Sequence, residues 1–432
     1  MKVQKSSFQH RAGYLVCACV LLVGSFCTAL AENAPSRSDI PTAPNFSKNS
    51  FAPAQAQHES PIFRAIYQND LSMLERYIGT ALEQTDSGGY TPLLCAIELK
   101  REKMVDTLIE AGANLSVKVQ KPRHTVMHIA AAFGTSRIID RLVQSGIDVN
   151  VKNDLGVSPI YFAATKNNIE AIDALIKHGA DIHFKLESGE SPLHFACEYG
   201  LASAIRLIEA GADMEAQNLE GITPFLAACQ SGSCKLIDEL INLGADLEHK
   251  NNEGLGALFY AVGSNNPDAI KLLLKRGLCI ENEGALMAHA VICSCKKSIQ
   301  FLIEVGVNVD AKEKGLTPLH RVAHRCNVDL AQLLIKLGAD PMARDNNGNT
   351  PLHFAFDIGL SKEGSGLNTQ RIEELSVMLI EAGADPDAKN MQGWTPRDIV
   401  TFMYQNSGVR SASIDKAISK VKALEKLKSD AD

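Results

Sequence analysis

In "IDALIKHGAD" (residues 172–181), Ile172, Leu175 and Ile176 fall at i, i+3 and i+4, the apolar stripe of an amphipathic helix. Gly179 then supplies a left-handed stop. The same stripe closed by glycine recurs in "IRLIEAGAD" (205–213), "IDELINLGAD" (237–246), "AQLLIKLGAD" (331–340) and "VMLIEAGAD" (377–385). A shorter apolar stretch opened by Thr/Ser-Pro alternates with it: "TPLLCAI" at 91, "SPIYFAA" at 158, "SPLHFAC" at 191, "TPFLAAC" at 223, "TPLHRVA" at 317 and "TPLHFAF" at 350. The hydroxyl residue caps the helix that follows, and the proline occupies its first turn, where no N–H bond is lost. Degenerate copies start at 60, 125, 256 and 285, and a terminal one at 395. Most steps are 31 to 34 residues. The pattern predicts about eleven copies of one unit between 60 and roughly 404: helix, tight turn, helix, glycine and a short extended stretch. That stretch returns through turn signals such as "NLEG" (218–221) and "DNNG" (345–348).

These residues resemble ankyrin repeats over about 345 positions. One "TPLH" is a weak signal, but many copies paired with "GAD" at a fixed offset are a strong one. The resemblance implies an all-α solenoid of stacked helix-turn-helix units with β-hairpin-like finger loops, in which no unit buries its apolar face alone. It also implies that His194, His320 and His353 hydrogen-bond near their helix starts and tie neighbouring repeats together. A protein partner would meet the concave surface made by first helices and finger tips. The candidate positions are Thr165, Lys166, Glu198, Tyr199, Gln230 and Ser231 on the helices, and Asp154, Glu190, Glu220, Glu253 and Asn347 at the fingers. Several fingers are acidic, which favours a partner with a basic patch.

The period is broken in two places. After Gly277 the next helix starts about four residues early, near 278–285, leaving no room for a full finger. Between 350 and 395 the step is 45 residues, and the excess "DIGLSKEGSGLNTQ" (357–370) reads as a loop inserted between two helices. The last copy carries Trp394 and has the polar pair Arg397-Asp398 where internal copies have Leu-His, which suits an end facing water. Residues 411–428 place Ile414, Ile418, Val421, Leu424 and Leu427 on one helical face and read as an amphipathic capping helix. A partner-binding or membrane-surface role for that helix is the alternative.

Cysteine usage raises a chemical question at the first break. Of eleven cysteines, Cys17, Cys19 and Cys27 lie in the N-terminal apolar segment. Cys197 and Cys229 take the same small position in adjacent copies, too far apart for a disulfide at the usual helix spacing, and read as core. Around the break, "ALMAHAVICSC" (285–295) places His289, Cys293 and Cys295 near the ends of one copy, and His324 and Cys326 near the ends of the next. Three readings stand there: packed or free thiols, one disulfide to Cys326 from Cys293 or Cys295, or a zinc or copper site.

The N-terminus adds a compartment. "MKVQKSSFQHR" is basic and is followed by the uncharged "AGYLVCACVLLVGSFCTALA" (12–31). Ala29 and Ala31 form a small-x-small cleavage site that would leave Glu32 as the new terminus. The expectation is an exported protein, periplasmic or secreted; retention of residues 12–31 as a membrane anchor is the alternative. Residues 32–58 contain Pro35, Pro41, Pro44 and Pro53 without hydrophobic period and read as a disordered linker. Net charge is −7, and residues 1–31 hold three bases and no acid, so the body is more acidic still. Without a dense basic stripe, nucleic acid is not an expected ligand. Phosphate-loop, serine-hydrolase and zinc-protease motifs are absent, so neither an enzyme nor a cofactor is expected. The function expected is an exported protein-binding scaffold. The alternatives are a redox or metal-handling protein using the cysteine group and, by analogy with the repeat family in some intracellular bacteria, an effector that binds host proteins.

Overall fold

The computed structural model describes residues 60–86, 88–119, 123–357 and 369–399, in two units that meet between Ala180 and Asp181. The first unit holds α1 (Pro61–Gln68), α2 (Leu71–Ala81), α3 (Pro92–Glu98), α4 (Glu102–Glu110), α5 (Val126–Phe133), α6 (Ser136–Gln144), α7 (Pro159–Thr165) and α8 (Ile169–Lys177). A two-stranded antiparallel pair, β1 (Lys118–Val119) and β2 (His124–Thr125), leads into α5. The second unit opens with α9 (Pro192–Tyr199), α10 (Leu201–Glu209), α11 (Pro224–Ser231), α12 (Cys234–Asn242), α13 (Ala257–Gly263) and α14 (Pro267–Lys275). It continues with α15 (Glu283–Ile292), α16 (Lys296–Glu304), α17 (Pro318–His324), α18 (Val328–Lys336), α19 (Pro351–Asp357) and α20 (Thr369–Glu381). Residues 396–399 are again helical. Within each unit, the first helix of a pair packs on the first helix of the next pair. The all-α stack of helix-turn-helix units expected from the repeat is the fold observed.

The two helices of a pair differ because their sequences do. In α9, Pro192 through Cys197 are all buried, so the helix is covered nearly all round. In α10 only Ser203, Ala204 and Leu207 are buried, one stripe facing inward with charge outside. Small side chains such as Ala196 and Cys197 in α9 and Ala228 and Cys229 in α11 let adjacent first helices approach closely. Each fully buried leucine of these helices contributes roughly 1.5–3 kcal/mol of hydrophobic stabilisation. Cys197 and Cys229 are wholly buried free thiols, and burial pushes both far above the usual thiol range.

The recurrent "GAD" has a local explanation. Gly211 adopts φ +94°, ending α10 in the left-handed region, and the carboxylate of Asp213 then accepts the Glu215 N–H at 2.9 Å. Asp181, Asp246 and Asp340 make the same two-residue turn. Most described finger tips form a second Asx turn, as at Asn218, whose Oδ1 accepts from the N–H groups of Glu220 and Ile222, both at 2.9 Å. Asp86, Asn153, Asn251, Asp345 and Asn390 repeat that arrangement.

The histidine of "TPLH" joins one repeat to the next. The Ser191 N–H points at His194 Nδ1 (3.1 Å), so Nδ1 is the acceptor and Nε2 keeps the proton that it donates to the Ile222 carbonyl (2.9 Å). His320 bridges in the same way to the Asn349 carbonyl (3.0 Å), and His353 to that of Trp394 (3.1 Å). His128, in the degenerate copy "TVMHIAA", does the same with the Val157 carbonyl (2.9 Å), although its helix lacks the proline. In the terminal copy, Asp398 replaces the imidazole and accepts from both the N–H and the hydroxyl of Thr395, each at 2.8 Å.

These imidazoles have little room for a second proton. Burial disfavours the charged form and lowers His128 and His194 to about 4, against the partial compensation of their carbonyl bonds. His320 and His353 move in the same direction for the same cause. With the folded pKa depressed, the folded chain binds fewer protons than the unfolded one. The stabilisation is complete above the unfolded value of about 6.5 and is lost as pH falls toward 4, by on the order of 3 kcal/mol for each of His128 and His194. Urea midpoints are therefore expected to drop steadily between pH 7 and 4.5. A flat profile over that range would contradict the buried neutral imidazoles.

Candidate interaction face and cysteine group

Finger tips in the second unit are laced together by their backbones. The Leu219 N–H donates to the Ser188 carbonyl (2.9 Å), Asn252 to Glu220 (3.0 Å) and Met391 to Asn347 (2.9 Å). Of the acidic candidates there, Glu220 and Glu253 are exposed, whereas Glu190 is half-buried and accepts from the Ser188 hydroxyl at 3.1 Å. Asn347 is exposed. Sequence reading by charge missed the apolar tips: Leu219 is 72% and Met391 75% exposed. Their signal was available, because the residue after each turn-forming Asn must point outward.

The helix candidates lie at the C-terminal ends of first helices. Tyr199, the last residue of α9, is 45% exposed and Glu198 half-buried. One repeat on, Gln230 is half-buried and Ser231 exposed at the end of α11, with the Ser231 hydroxyl donating to the Ala228 carbonyl (2.8 Å). Because α9 packs on α11, these four residues share one edge of adjacent helices. In the first unit, the Thr165 hydroxyl donates to the Tyr161 carbonyl of its own helix. Lys166 Nζ sits 5.6 Å from the centre of the Phe133 ring, and its partial burial lowers its pKa. Asp154 is exposed at a finger tip, 3.7 Å from Arg123.

At the first irregularity the chain replaces a finger with helix. Only residues 276–282 separate α14 from α15, and α15 runs ten residues where most first helices have seven or eight. Asn282 caps it, accepting the Ala285 N–H at 2.9 Å. Gly284 then passes so close to the next repeat that a Cβ there would fall 2.2 Å from the Lys312 carbonyl oxygen. A cleft of about 140 Å³ occupies the place of the missing finger, between residues 247–259 and the link 278–286, with the Lys250–Glu281 ion pair (2.7 Å) at its rim.

The five cysteine-group candidates do not converge. Cys293 Sγ lies 3.8 Å from both ring nitrogens of His289, whose ring stacks on Phe259 at 3.8 Å between centres. Cys295 is buried, with its thiol 3.4 Å from the Gly263 carbonyl. His324 instead packs edge-on to Phe354, and burial lowers its pKa. Cys326 is buried in the inter-helix turn, and burial lifts its thiol to about 11. Among the described residues no three of these side chains gather as a metal site, and all eight described cysteines are free thiols, so the disulfide to Cys326 is not formed. The cleavage candidates Ala29, Ala31 and Glu32, the segment 12–31, the linker 32–58 and the helix 411–428 lie outside the described residues. Most of the insertion at 357–370 does so too. Among the described residues no helix is long and apolar enough to cross a membrane.

Comparison with known proteins gives a consistent likeness. A family model described as "Ankyrin repeats (3 copies)" matches residues 127–218, 203–284, 225–313 and 286–363, together more than half of the chain. A single "Ankyrin repeat" model matches 88–119 and 347–391. The human 2-5A-dependent ribonuclease is 41% identical over 66 residues, 15% of this chain and 9% of that protein. Alpha-latrocrustotoxin-Lt1a from Latrodectus tredecimguttatus is 28% identical over 157 residues, 34% of this chain and 11% of the toxin. This chain thus spans about a tenth of the length of either relative. The crystal structure of the human ASB11 ankyrin repeat domain aligns with TM-score 0.43 and 26% identity, over 53% of this chain and all of that one.

Two glycines separate packing from propensity. Gly284→Ala must displace the Lys312 carbonyl and is expected to cost about 1–3 kcal/mol in chemical denaturation. Gly79→Ala, inside α2 with open space at its Cβ, is expected to gain up to about 1 kcal/mol. Equal effects in the two variants would refute the close approach at the break.

Proposed function

The chain belongs to the ankyrin-repeat family, and on that premise we propose that it is an exported, non-enzymatic scaffold. Its partner is a protein with a basic patch, met along finger tips and the ends of first helices. Ankyrin repeats in general mediate protein–protein interaction, which supports the class of function. The observation that supports the face is the pairing of Glu220 with Glu253. Both are exposed on consecutive fingers that the Asn252 N–H to Glu220 carbonyl bond holds side by side. Two exposed carboxylates on neighbouring loops add to a local negative potential, and a cationic surface is steered to the site by it. Tyr199 supplies an amphipathic ring of the kind enriched in interface hot spots, and Leu219 adds apolar area. A specific complex burying about 1,200–2,000 Å² needs only a few repeats.

Export rests on the basic, then apolar, residues 1–31 and on the Ala29-x-Ala31 site, with the working place periplasmic or secreted; an anchor at 12–31 would hold the same scaffold on a membrane. The effector reading differs only in where the partner resides, outside the producing cell. Intact mass of the protein from its native source distinguishes cleavage before Glu32 from retention.

Cross-linking in that compartment, followed by Glu220→Lys with Glu253→Lys, tests the face. The expected result is a captured partner whose affinity falls at least about tenfold in the double variant and falls with salt in the wild type. Undiminished binding by the double variant and by Tyr199→Ala would reject the assignment.

A further inference from the structure

The turn between the two helices of a repeat ends in a capping Asn in several copies, including both neighbours of the broken repeat, which has none there. In those copies the first residue after the helix is followed by one in the left-handed region and then by a helix cap: Asn167 (φ +52°) and Asn168, Asn265 (φ +56°) and Asn266, Cys326 (φ +49°) and Asn327. Each capping Asn accepts a backbone N–H of its helix. The corresponding segment here is Cys293, Ser294 (φ +55°) and Cys295, and Cys295 caps α16 without a side-chain bond. The cap of about 1 kcal/mol that both neighbouring repeats have is absent here, where a thiol stands at the helix N-terminus.

What surrounds that thiol is organised for reaction at sulfur. Cys293 is exposed, and the left-handed Ser294 folds the chain back so that Cys295 Sγ comes to 3.7 Å from the Cys293 carbonyl oxygen. The His289 ring faces Cys293 and is held by Phe259 on its other side. Gly263 leaves the space that this ring needs, since a Cβ there would lie 2.7 Å from His289 Nε2. Arg325, the counterpart of Cys293 in the next repeat, donates to the Ile292 carbonyl at 3.0 Å and adds a fixed positive charge beside the sulfur.

We infer that Cys293 and Cys295 form a dithiol that exchanges with low-molecular-weight disulfides, Cys293 attacking first and Cys295 closing the ring. The Cys293 thiolate attacks one sulfur of the small disulfide, its S–S bond breaks, and one small thiolate leaves and takes a proton from water. Cys295 then loses its proton and attacks Cys293 Sγ, expelling the second small thiolate. The dithiol gives up two electrons and the small disulfide becomes two thiols. The electrostatics agree with this order. Hydrogen bonds from Cys295, then from His289, pull the Cys293 thiol down, while that same bond and burial hold the Cys295 proton on. Once Cys293 is capped its charge is gone, and the N-terminus of α16 favours the second thiolate.

The test uses the full reduced chain, oxidised glutathione near neutral pH, an acid quench and peptide mass analysis. Cys279 is the internal control, being exposed, with the Gly277 carbonyl 3.9 Å from its sulfur. Unmodified Cys197 and Cys229 report that the fold is intact. In the wild type, Cys293 is expected to react at least about tenfold faster than Cys279 and to end as a Cys293–Cys295 disulfide without bound glutathione. Cys295→Asn, which restores the cap of the neighbouring repeats, is expected to stop at a glutathione adduct on Cys293. Equal rates at Cys293 and Cys279, or glutathione retained on Cys293 in the wild type, would overturn the inference.

Discussion

The bond on which this architecture depends is the one from a buried imidazole to the next repeat's carbonyl. A first helix buried nearly all round has little solvent to satisfy its N-terminal N–H groups, and in four of the described repeats the capping residue and a histidine three places later do so together. That imidazole then has one nitrogen left, and the nearest acceptor is the carbonyl that leads into the following helix. His194 to Ile222 and His320 to Asn349 thus fix the height of the repeat that follows at those junctions. An unpaired partner in such a place costs about 1–3 kcal/mol, which makes the bond a register device as well as a source of stability. Asp398 serves the capping half of this role in the last described repeat.

The broken repeat is informative by its differences from its two neighbours. With the finger between α14 and α15 removed, the helix is extended backward, Asn282 takes over capping and the Glu283 carboxylate accepts the Asn308 N–H at 3.0 Å. A loop that normally covers the flank of the preceding finger is gone, and a cleft remains. The same repeat has Cys295 where both its neighbours have a capping Asn. The lost finger and the cysteine at the cap position thus fall in a single repeat.

The scaffold and the dithiol make different demands on the chain. Finger tips need only stiff turns and freedom to vary outward side chains, which the Asx turns at Asn218, Asn251 and Asp345 provide. Sulfur chemistry needs convergence: a thiol, a second thiol and a cation within a few ångströms. Neighbouring repeats contribute to that at Cys293, because Arg325 occupies the equivalent position one repeat later and its charge favours the Cys293 thiolate.

Much of this was legible in the chain itself. The period, the Thr/Ser-Pro starts and the glycine stops follow from helix geometry and from backbone angles that few residues tolerate, so sequence alone determined the stacked helix-turn-helix units; the bridging role of His194, His320 and His353 came through the resemblance those repeats carry. It under-read His128, whose copy lacks the proline but keeps the fourth-position imidazole. Which side chains meet was decided only by tertiary structure. His289 and Cys293 come together while His324 and Cys326 pack elsewhere, the apolar Leu219 and Met391 stand outward, and Gly284 touches the Lys312 carbonyl. The reason is physical: periodicity fixes the face a residue occupies, but the distance between residues of different repeats depends on how their helices pack.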